Sequence, residues 1–319
     1  MSGRLVVAAT GPLCTVQDAG GRPGRADLGV GVSGAADRAA LRRANRLVGN
    51  DEAAAGLEVT FGGLVVVFEP GSAGAAGGRV PTTTVLALTG APAPMTVGGR
   101  PGDPHRPVVV PAGTEVRLGT PPSGLRSYLA VRGGIAVDPV LGSRSTDTVA
   151  GLGPPVLEAG IELPVGAPPS SPVPGVDVAP EPPLTGELTL GVVLGPRDDW
   201  FTDAALATFL RTSWTVTEDA NRVGFRLDGP ELARTAERDG AELPSEGVIR
   251  GSVQVPPSGR PTVFLADHPV TGGYPVIGVV LDADTDRAGQ LRPGAQVRFR
   301  REGLPGTSRS GHWGSGNRR

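Results

Sequence analysis

Short runs of aliphatic and β-branched residues, separated by glycine and proline, dominate the pattern of polar and apolar positions. The stretch Ser252–Val255 alternates polar and apolar residues, which is typical of a strand with one buried face. Comparable runs predict strands at Leu5–Ala8, Leu57–Phe61, Leu64–Phe68, Val85–Leu88, Val108–Val110, Glu115–Leu118, Ser127–Val131, Leu188–Leu194, Val223–Leu227, Thr262–Ala266 and Val276–Leu281. Gly62 and Gly63, between two of these runs, predict a β-hairpin. Many short strands between such turns indicate a mainly β protein.

A few short helices accompany these strands. The segment from about Ala35 to Val48 has the apolar period of an amphipathic helix. Ser33 is placed to cap its N-terminus, Asp37 suits its first turn, and Gly49 ends it. A shorter helix is predicted from Asp198 to about Leu210.

The distribution of proline and glycine divides the chain into two β-rich lobes. Residues 1–165 form the predicted N-terminal lobe, which carries the helix 35–48. A linker rich in proline, predicted to be extended, covers residues 166–186. Residues 187–303 form the predicted C-terminal lobe, and residues 304–319 have no core-forming pattern, so we expect them to be disordered.

Composition removes several classes of function. The net charge of −2 gives no basic surface for nucleic acid, so no nucleic-acid partner is expected. No apolar run approaches the length of a membrane span, and a single cysteine fits a reducing compartment, so we expect a cytoplasmic protein without a membrane partner. The 3 histidines lie far apart, and no HExxH or CxxC motif occurs, so no metal site is predicted.

All 30 basic residues are arginine, because the sequence contains no lysine. The chain therefore has no P-loop lysine for a nucleotide and no lysine for a Schiff base. It also cannot carry biotin itself, because biotin is attached to a lysine amine. Any ATP or biotin chemistry must involve another chain, and no covalently bound cofactor is predicted.

Two polar stretches are candidate sites. Asp267–Pro275 brings a carboxylate, an imidazole, a hydroxyl and a phenol to one corner beside two glycines. Glycines there are consistent either with a turn or with the close approach of a ligand. Ser143–Asp147 is a run of five hydrogen-bonding residues between glycines, which fits either a bound anion or a structured polar loop.

The sequence resembles a known family through a series of motifs in a fixed order. They are TVQDAGGRPGRADLGVGVSGAADRAALRRANRLVGN, LEVTFGG, YLAVRGGIAVDPVLGSRSTDTVAGLG, ANRVGFRLDGP, GVIRGSVQVPPSGRPTVFLAD and TGGYPVIGVV. The family is called allophanate hydrolase subunit 2 or KipA-like. It is also called the biotin-dependent carboxyltransferase family, and it includes the C component of 5-oxoprolinase.

The resemblance implies a mainly β fold of two β-rich lobes with cyclophilin-like barrel architecture. It also implies a partner, the KipI-like subunit, which corresponds to allophanate hydrolase subunit 1 and to the B component of 5-oxoprolinase. A third subunit of the LamB/YcsF type is a possible further partner. The substrate it implies is a small-molecule amide.

The resemblance and the chemistry of the side chains together select site residues. Asp267 is the candidate general base, Arg222 a fork for an anion, and Tyr274 a hydrogen-bond donor. The candidate substrate-binding residues are Asn221, Gln254, Thr271, Gly272, Gly273, Ser143, Arg144 and Ser145. Arg222 and Asp267 are expected to face one cleft, with Gln254, Thr271 and Tyr274 near them. One alternative stays open, in which Asp267 caps the turn and Arg222 ties two strands together. Ala220 stands where the family usually has serine, so one hydroxyl is missing from this corner.

Three functions remain after these arguments. The first is a subunit of an ATP-dependent 5-oxoprolinase, a hydrolase of a cyclic amide that is active only in complex and uses ATP through its partner subunits. The second is a carboxyltransferase subunit of a urea carboxylase or allophanate hydrolase system, with biotin supplied by a separate carrier protein. The third is a KipA-like regulatory binding protein without catalysis.

Overall fold

A computed structural model of the chain describes residues 3–71, 82–175, 178–179 and 185–303. Two lobes follow one another along the described residues, and each has its own large apolar core. The segment 304–319, expected to be disordered, lies outside the described residues, as does part of the predicted linker. None of the helices in these ranges is long and apolar enough to span a membrane.

The N-terminal lobe consists of two antiparallel sheets and one helix. Its elements are β1 Gly3–Thr10, β2 Leu13–Gln17, α1 Arg38–Leu47, β3 Gly56–Thr60, β4 Leu64–Pro70, β5 Thr83–Gly90, β6 Met95–Val97, β7 Arg100–Gly102, β8 Pro107–Pro111, β9 Glu115–Leu118, β10 Arg126–Val131 and β11 Glu162–Val165. One sheet has the order β11-β1-β4-β9-β6-β7, and the other has the order β2-β3-β10-β5-β8. Apolar side chains from both sheets form one shared core.

The predicted hairpin across Gly62 and Gly63 was wrong. β3 and β4 lie within two residues of the expected bounds, but β3 pairs with β2 and β10, whereas β4 pairs with β1 and β9. Both glycines have positive φ, and a Cβ on Gly62 would lie 2.0 Å from the carbonyl oxygen of Gly119. The two glycines therefore carry the chain from one sheet to the other, since each strand finds its partners elsewhere.

Helix α1 begins later than the sequence pattern predicted. Its N-cap is Asp37, whose side chain accepts a hydrogen bond from the Ala40 amide at 2.8 Å. Ser33, the predicted cap, lies before the helix with a φ of 56°. The apolar stripe of α1 packs against β5 and β10, so the five-stranded sheet is covered on both faces.

The cap position can be tested by substitution. We expect Asp37→Ala to lower the free energy of unfolding by about 1–2 kcal/mol, because an N-cap side chain contributes that much. Asp37 also accepts a hydrogen bond from the side-chain amide of Gln290 at 2.8 Å, so we expect a loss at the upper end of this range. Urea denaturation followed by tryptophan fluorescence measures it. The exposed acid Asp51, just after the helix, provides a matched Asp51→Ala control; an equal loss in both variants would contradict this role of Asp37.

The C-terminal lobe is a closed barrel with two short helices. Its elements are β12 Leu188–Leu194, α2 Asp203–Arg211, β13 Trp214–Ala220, β14 Gly224–Asp228, β15 Glu246–Gly247, β16 Ser252–Gln254, β17 Thr262–Phe264, β18 Thr271–Gly272, β19 Val276–Val280, α3 Asp282–Ala288 and β20 Gln296–Arg301. The barrel order is β12-β19-β16-β17-β14-β13-β20. β12 and β20, the first and last strands, close the barrel by parallel pairing, and β15 pairs with β18 outside it. The expected β-rich architecture with a barrel is confirmed.

Aromatic residues fill one end of the barrel core. Trp214 is fully buried, and its Nε1 donates to the carbonyl oxygen of Phe209 at 3.1 Å. Phe209 on α2 stacks on Phe299 of β20, with ring centroids 4.4 Å apart. Helix α2 occupies most of the predicted segment 198–210, but a 3₁₀ turn at Asp198–Trp200 precedes it.

Candidate functional site

A buried cluster of charges joins the two lobes. Arg222, just before β14, forms a two-pronged ion pair with Asp267, with Nε to Oδ2 and Nη2 to Oδ1 both at 2.9 Å. Its Nη1 contacts Glu58 of β3 in the other lobe, and its Nη2 donates to the carbonyl oxygen of Gly34 at 2.7 Å. The side chains of Arg222 and Asp267 are 2 % and 0 % exposed. One guanidinium is thus shared by carboxylates from both lobes.

Asp267 receives further hydrogen bonds from the N-terminal lobe. Ser33 Oγ donates to Oδ1 and Thr148 Oγ1 donates to Oδ2, each at 2.7 Å. Burial alone raises the pKa of Asp267, but the Arg222 charge and these hydrogen bonds outweigh burial and hold the pKa below its usual value. A carboxylate with a lowered pKa and four occupied acceptor positions is a weak proton acceptor.

Arg222 is held equally firmly in its charged form. Burial lowers the pKa of Arg222, but the charges of Glu58 and Asp267 and their hydrogen bonds raise it above the usual value. Tyr128 extends the cluster, because its hydroxyl donates to Glu58 Oε2 at 2.9 Å and accepts from the Asp37 amide at 2.7 Å. Burial, together with the nearby carboxylates, raises the pKa of Tyr128 well above its usual value.

An open cleft on the barrel contains three other predicted site residues. Asn221, Gln254 and Tyr274 line it, and its volume is about 860 Å³. The wall between them is built from Val223, Gly224, Arg226 and Leu227 and from the Pro256–Pro257 turn. Arg226 and Asp219 form an exposed ion pair at 3.3 Å on its rim. The cleft therefore offers amide, phenol and charged groups to a small polar ligand.

The Thr271–Tyr274 corner closes one end of this cleft. The Gln254 amide nitrogen donates to the carbonyl oxygen of Tyr274 at 3.0 Å, and a Cβ on Gly272 would lie 2.5 Å from that nitrogen. A side chain at 272 would therefore displace the Gln254 carboxamide from its present position. Tyr274 itself is 46 % exposed and also lines a second cleft with Gly273.

The Ser143–Asp147 loop is ordered by a carboxylate of the chain itself. Asp18 Oδ2 accepts hydrogen bonds from Ser143 Oγ and the Arg144 amide, both at 2.7 Å. Ser145 Oγ accepts from the Asp18 amide at 2.9 Å, and Arg144 Nε donates to the carbonyl oxygen of Val137. Of the two interpretations left open by the sequence, the structured polar loop fits these contacts.

The structure separates residues that the sequence analysis expected in one cleft. Asn221, Gln254, Gly272 and Tyr274 lie at the barrel cleft, whereas Arg222 and Asp267 are enclosed between the lobes. The expectation that they face one cleft was therefore wrong, because Glu58 draws the Arg222 side chain toward the other lobe. The catalytic roles assigned to Arg222, Asp267 and Tyr274 stay predictions.

Four residues of this region were missed from sequence. Glu58, Ser33 and Thr148 belong to the charge cluster, and Asp18 orders the Ser143 loop. The sequence analysis did single out Ser33, but it interpreted this residue as the N-cap of the helix 35–48. Within the part of the chain that the structure describes, no group of three or more His, Cys, Asp or Glu is arranged to hold a metal ion.

Proteins from other organisms are similar in sequence to this chain over most of its length. The C component of 5-oxoprolinase from Escherichia coli is 37 % identical over 298 residues, which cover 92 % of this chain and 90 % of the relative. Urea amidolyase of Saccharomyces cerevisiae is 33 % identical over 92 % of this chain, but the match spans 16 % of that protein.

Solved structures agree with this fold over most of the chain. TTHA0988 superposes with a TM-score of 0.81 at 34 % identity, covering 94 % of this chain and 55 % of that chain. Kluyveromyces lactis urea carboxylase superposes with a TM-score of 0.82 at 30 % identity, covering 93 % of this chain and 27 % of that chain. The chain thus spans about half of one neighbour and about a quarter of the other. A family model described as the carboxyltransferase domain, subdomain A and B, matches residues 28–301, so the chain belongs to the carboxyltransferase-domain family.

Proposed function

We propose that the chain is a subunit of an ATP-dependent 5-oxoprolinase, which opens the lactam ring of 5-oxoproline to give glutamate. The observation that carries this proposal is the near-complete match to the C component of the E. coli 5-oxoprolinase, over 92 % of this chain and 90 % of the relative. The proposed complex includes a KipI-like subunit and a LamB/YcsF-type subunit. ATP binds to those partners, because this chain has no lysine for a P-loop.

The barrel cleft is the proposed substrate site. Gln254 presents a carboxamide whose Oε1 accepts hydrogen bonds and whose Nε2 has a second hydrogen besides the one bonded to the Tyr274 carbonyl oxygen, so it matches the edge of a lactam. Tyr274 presents a phenol that donates to an oxygen on which negative charge develops. Asn221 is more constrained, because its Oδ1 accepts from the Val223 amide at 2.8 Å, so its contribution comes through Nδ2.

Arg222 and Asp267 are proposed as positioning residues for this cleft. Arg222 follows Asn221 directly, and the Asp267 amide donates to the Arg222 carbonyl oxygen at 2.9 Å. Their ion pair therefore fixes the start of β14 against the corner that leads to Thr271 and Tyr274. This proposal develops the alternative in which Arg222 ties strands together, in place of direct proton transfer by Asp267.

Turnover in the reconstituted complex tests the cleft. We expect Gln254→Leu and Tyr274→Phe each to lower kcat/KM for ATP-dependent glutamate release by about 100-fold, because each removes one hydrogen-bond donor facing the reacting amide. The measurement uses the purified chain mixed with its KipI-like and LamB/YcsF-type partners, with 5-oxoproline and ATP. The chain alone is expected to release no glutamate.

A matched control separates cleft chemistry from general damage. Gln296 lies on β20, and its amide nitrogen donates to Thr215 Oγ1 at 3.0 Å; it is not among the residues that line the cleft. Gln296→Leu is expected to keep turnover within about 2-fold, since surface changes are usually mild. Wild-type rates in Gln254→Leu and Tyr274→Phe would remove the cleft from the mechanism, and turnover by the lone chain would contradict the subunit role.

A second candidate is a carboxyltransferase subunit that uses biotin from a separate carrier. The match to the carboxyltransferase-domain model and to K. lactis urea carboxylase favours it. Its test supplies urea, bicarbonate and ATP with a biotin carboxylase and a biotinylated carrier protein. Formation of a carboxylated urea in place of glutamate would select this candidate over the first.

A further inference from the structure

Two neighbouring loops of the N-terminal lobe present apolar side chains to solvent. One loop, residues 23–29, carries Leu28, which is 61 % exposed. The other, residues 138–151, carries Leu141 and Val149, which are 39 % and 61 % exposed. We call Leu28, Leu141 and Val149 the loop-tip surface. Exposed apolar groups gathered on projecting loops mark interaction sites more often than scattered ones do.

Arg22 joins the bases of the two loops. Arg22 is 1 % exposed; its Nε donates to the carbonyl oxygen of Val140 at 3.1 Å, and its Nη2 donates to that of Ser145. Its amide donates to the carbonyl oxygen of Val32 at 2.7 Å, which closes the first loop. These bonds join the base of the first loop to the second, so the two loops lie side by side.

The second loop is rigid up to its tips. Asp18 binds its Ser143–Arg144 segment, and Asp147 Oδ1 accepts from the amides of Val149 and Ala150 at 3.0 and 2.8 Å. A surface fixed in this way loses little conformational entropy when a partner binds.

The backbone of Leu141 is strained. It has a φ of 52°, a conformation that costs a residue with a Cβ about 1 kcal/mol or more. The neighbouring Gly142 has a φ of 87°, and Val140 pairs with Ser143 across this turn. A glycine at 141 would relieve the strain, so the turn keeps an apolar side chain outward at an energetic cost.

We infer that the loop-tip surface binds the partner subunit of the proposed complex, through an apolar and nearly uncharged face of that partner. The inference rests on the proposed function only for the existence of a partner. The charges in the two loops nearly balance, with Arg25 and Asp27 in the first loop. In the second loop Arg144 and Asp147 turn to internal contacts, and Asp138 adds one exposed negative charge. A strongly charged partner face would not match this surface.

The lengths of the relatives support a partner chain as the occupant. In TTHA0988 the counterpart of this chain is 55 % of a longer polypeptide, whereas the E. coli 5-oxoprolinase relative is matched over 90 % of its length. A unit that occurs both joined to further chain and as a separate chain needs a surface to hold its neighbour when it is separate.

The test is binding of the purified KipI-like subunit to a triple variant, Leu28→Asp with Leu141→Asp and Val149→Asp. We expect Kd to rise by at least about 100-fold, because three buried apolar contacts become carboxylates. The thermal unfolding temperature should not change, since all three side chains face solvent. The matched control is Val109→Asp, at a residue that is 62 % exposed on β8, the edge of its sheet opposite β2.

Each outcome decides one question. Wild-type affinity in the folded triple variant would overturn the inference while leaving the proposed function standing. Absence of binding by the wild-type chain would instead overturn the proposed partnership. A wild-type chain that is dimeric by light scattering, and monomeric in the triple variant, would show a second copy as the occupant and also overturn the inference.

Hydrogen exchange provides a measurement that needs no variant. Addition of the KipI-like subunit to the wild-type chain is expected to slow amide exchange in residues 23–29 and 138–151, and to leave β8 unchanged. Protection elsewhere without protection of these two loops would place the interface on another face.

Discussion

Replacing Arg222 by methionine is expected to lower the free energy of unfolding by about 3–5 kcal/mol. The methionine keeps most of the length of the side chain but removes the charge between Glu58 and Asp267. Two buried carboxylates from different lobes then lose the cation between them, and Glu58 keeps its longer ion pair with Arg126 at 3.6 Å. Their repulsion and their lost hydrogen bonds both favour the unfolded chain.

Urea denaturation of wild type and variant measures this effect, and Arg226 provides the control. Arg226 lies four positions further along the same segment, but its side chain is 67 % exposed and its partner Asp219 is 70 % exposed. An exposed pair of this kind contributes about 0–1 kcal/mol, so Arg226→Met should leave the urea midpoint nearly unchanged. Equal midpoints for Arg222→Met and wild type would show that the charge cluster does not stabilise the fold.

Asp267→Asn is expected to cost about 3 kcal/mol at neutral pH and to change the response of stability to acid. The pKa of Asp267 is lower in the folded state than in the unfolded state. Its carboxylate therefore contributes its full stabilisation when the pH is above the ordinary pKa of aspartate. That contribution is lost as the pH falls through the lowered pKa of the folded state. The difference in stability between wild type and Asp267→Asn should therefore shrink at low pH, because asparagine does not titrate.

The same variant separates positioning from proton transfer. If Asp267 positions the cleft, stability and turnover of the complex fall together, and added osmolyte that restores folding also restores part of the rate. If Asp267 is the base, turnover falls much further than stability does, and osmolyte that restores folding does not restore the rate. Glu115→Gln, at an exposed position paired with Arg117, is the control for loss of one negative charge.

The strands of this fold could be predicted from sequence because their signal is local. Runs such as 127–131 and 276–280 are rich in β-branched and aliphatic residues, and the structure places strands at both. Strand pairing was harder to predict, because the sequence pattern around Gly62–Gly63 is the same whether the two flanking strands pair with each other or join different sheets. Helix α3 was missed because its sequence, DADTDRA, has no apolar stripe. It forms there through contacts with the other lobe, where Asp286 accepts from the Arg38 amide.

The site was partly predictable for a similar reason. Gln254, Gly272 and Tyr274 belong to one stretch of chain, so their proximity follows from strand and corner geometry. The Ser33–Asp267 bond joins residues 234 positions apart, and Glu58–Arg222 joins residues 164 apart. Nothing in the local pattern of either segment specifies such a partner. Arg222 and Asp267 carry groups suited to catalysis, so the sequence analysis placed them in the cleft and not at the lobe interface.

Closure of the barrel by its first and last strands determines when this lobe can fold. β12 pairs with β20, and these strands are separated by nearly the whole lobe, so the ring cannot close until the ribosome has released residues 296–301. Until then β12 and β13 each lack a neighbour and present open backbone edges, which are templates for aggregation. The N-terminal lobe is free of this delay, since β11 ends at Val165, and it can form first and supply Glu58 and Ser33 as a docking surface for the late barrel.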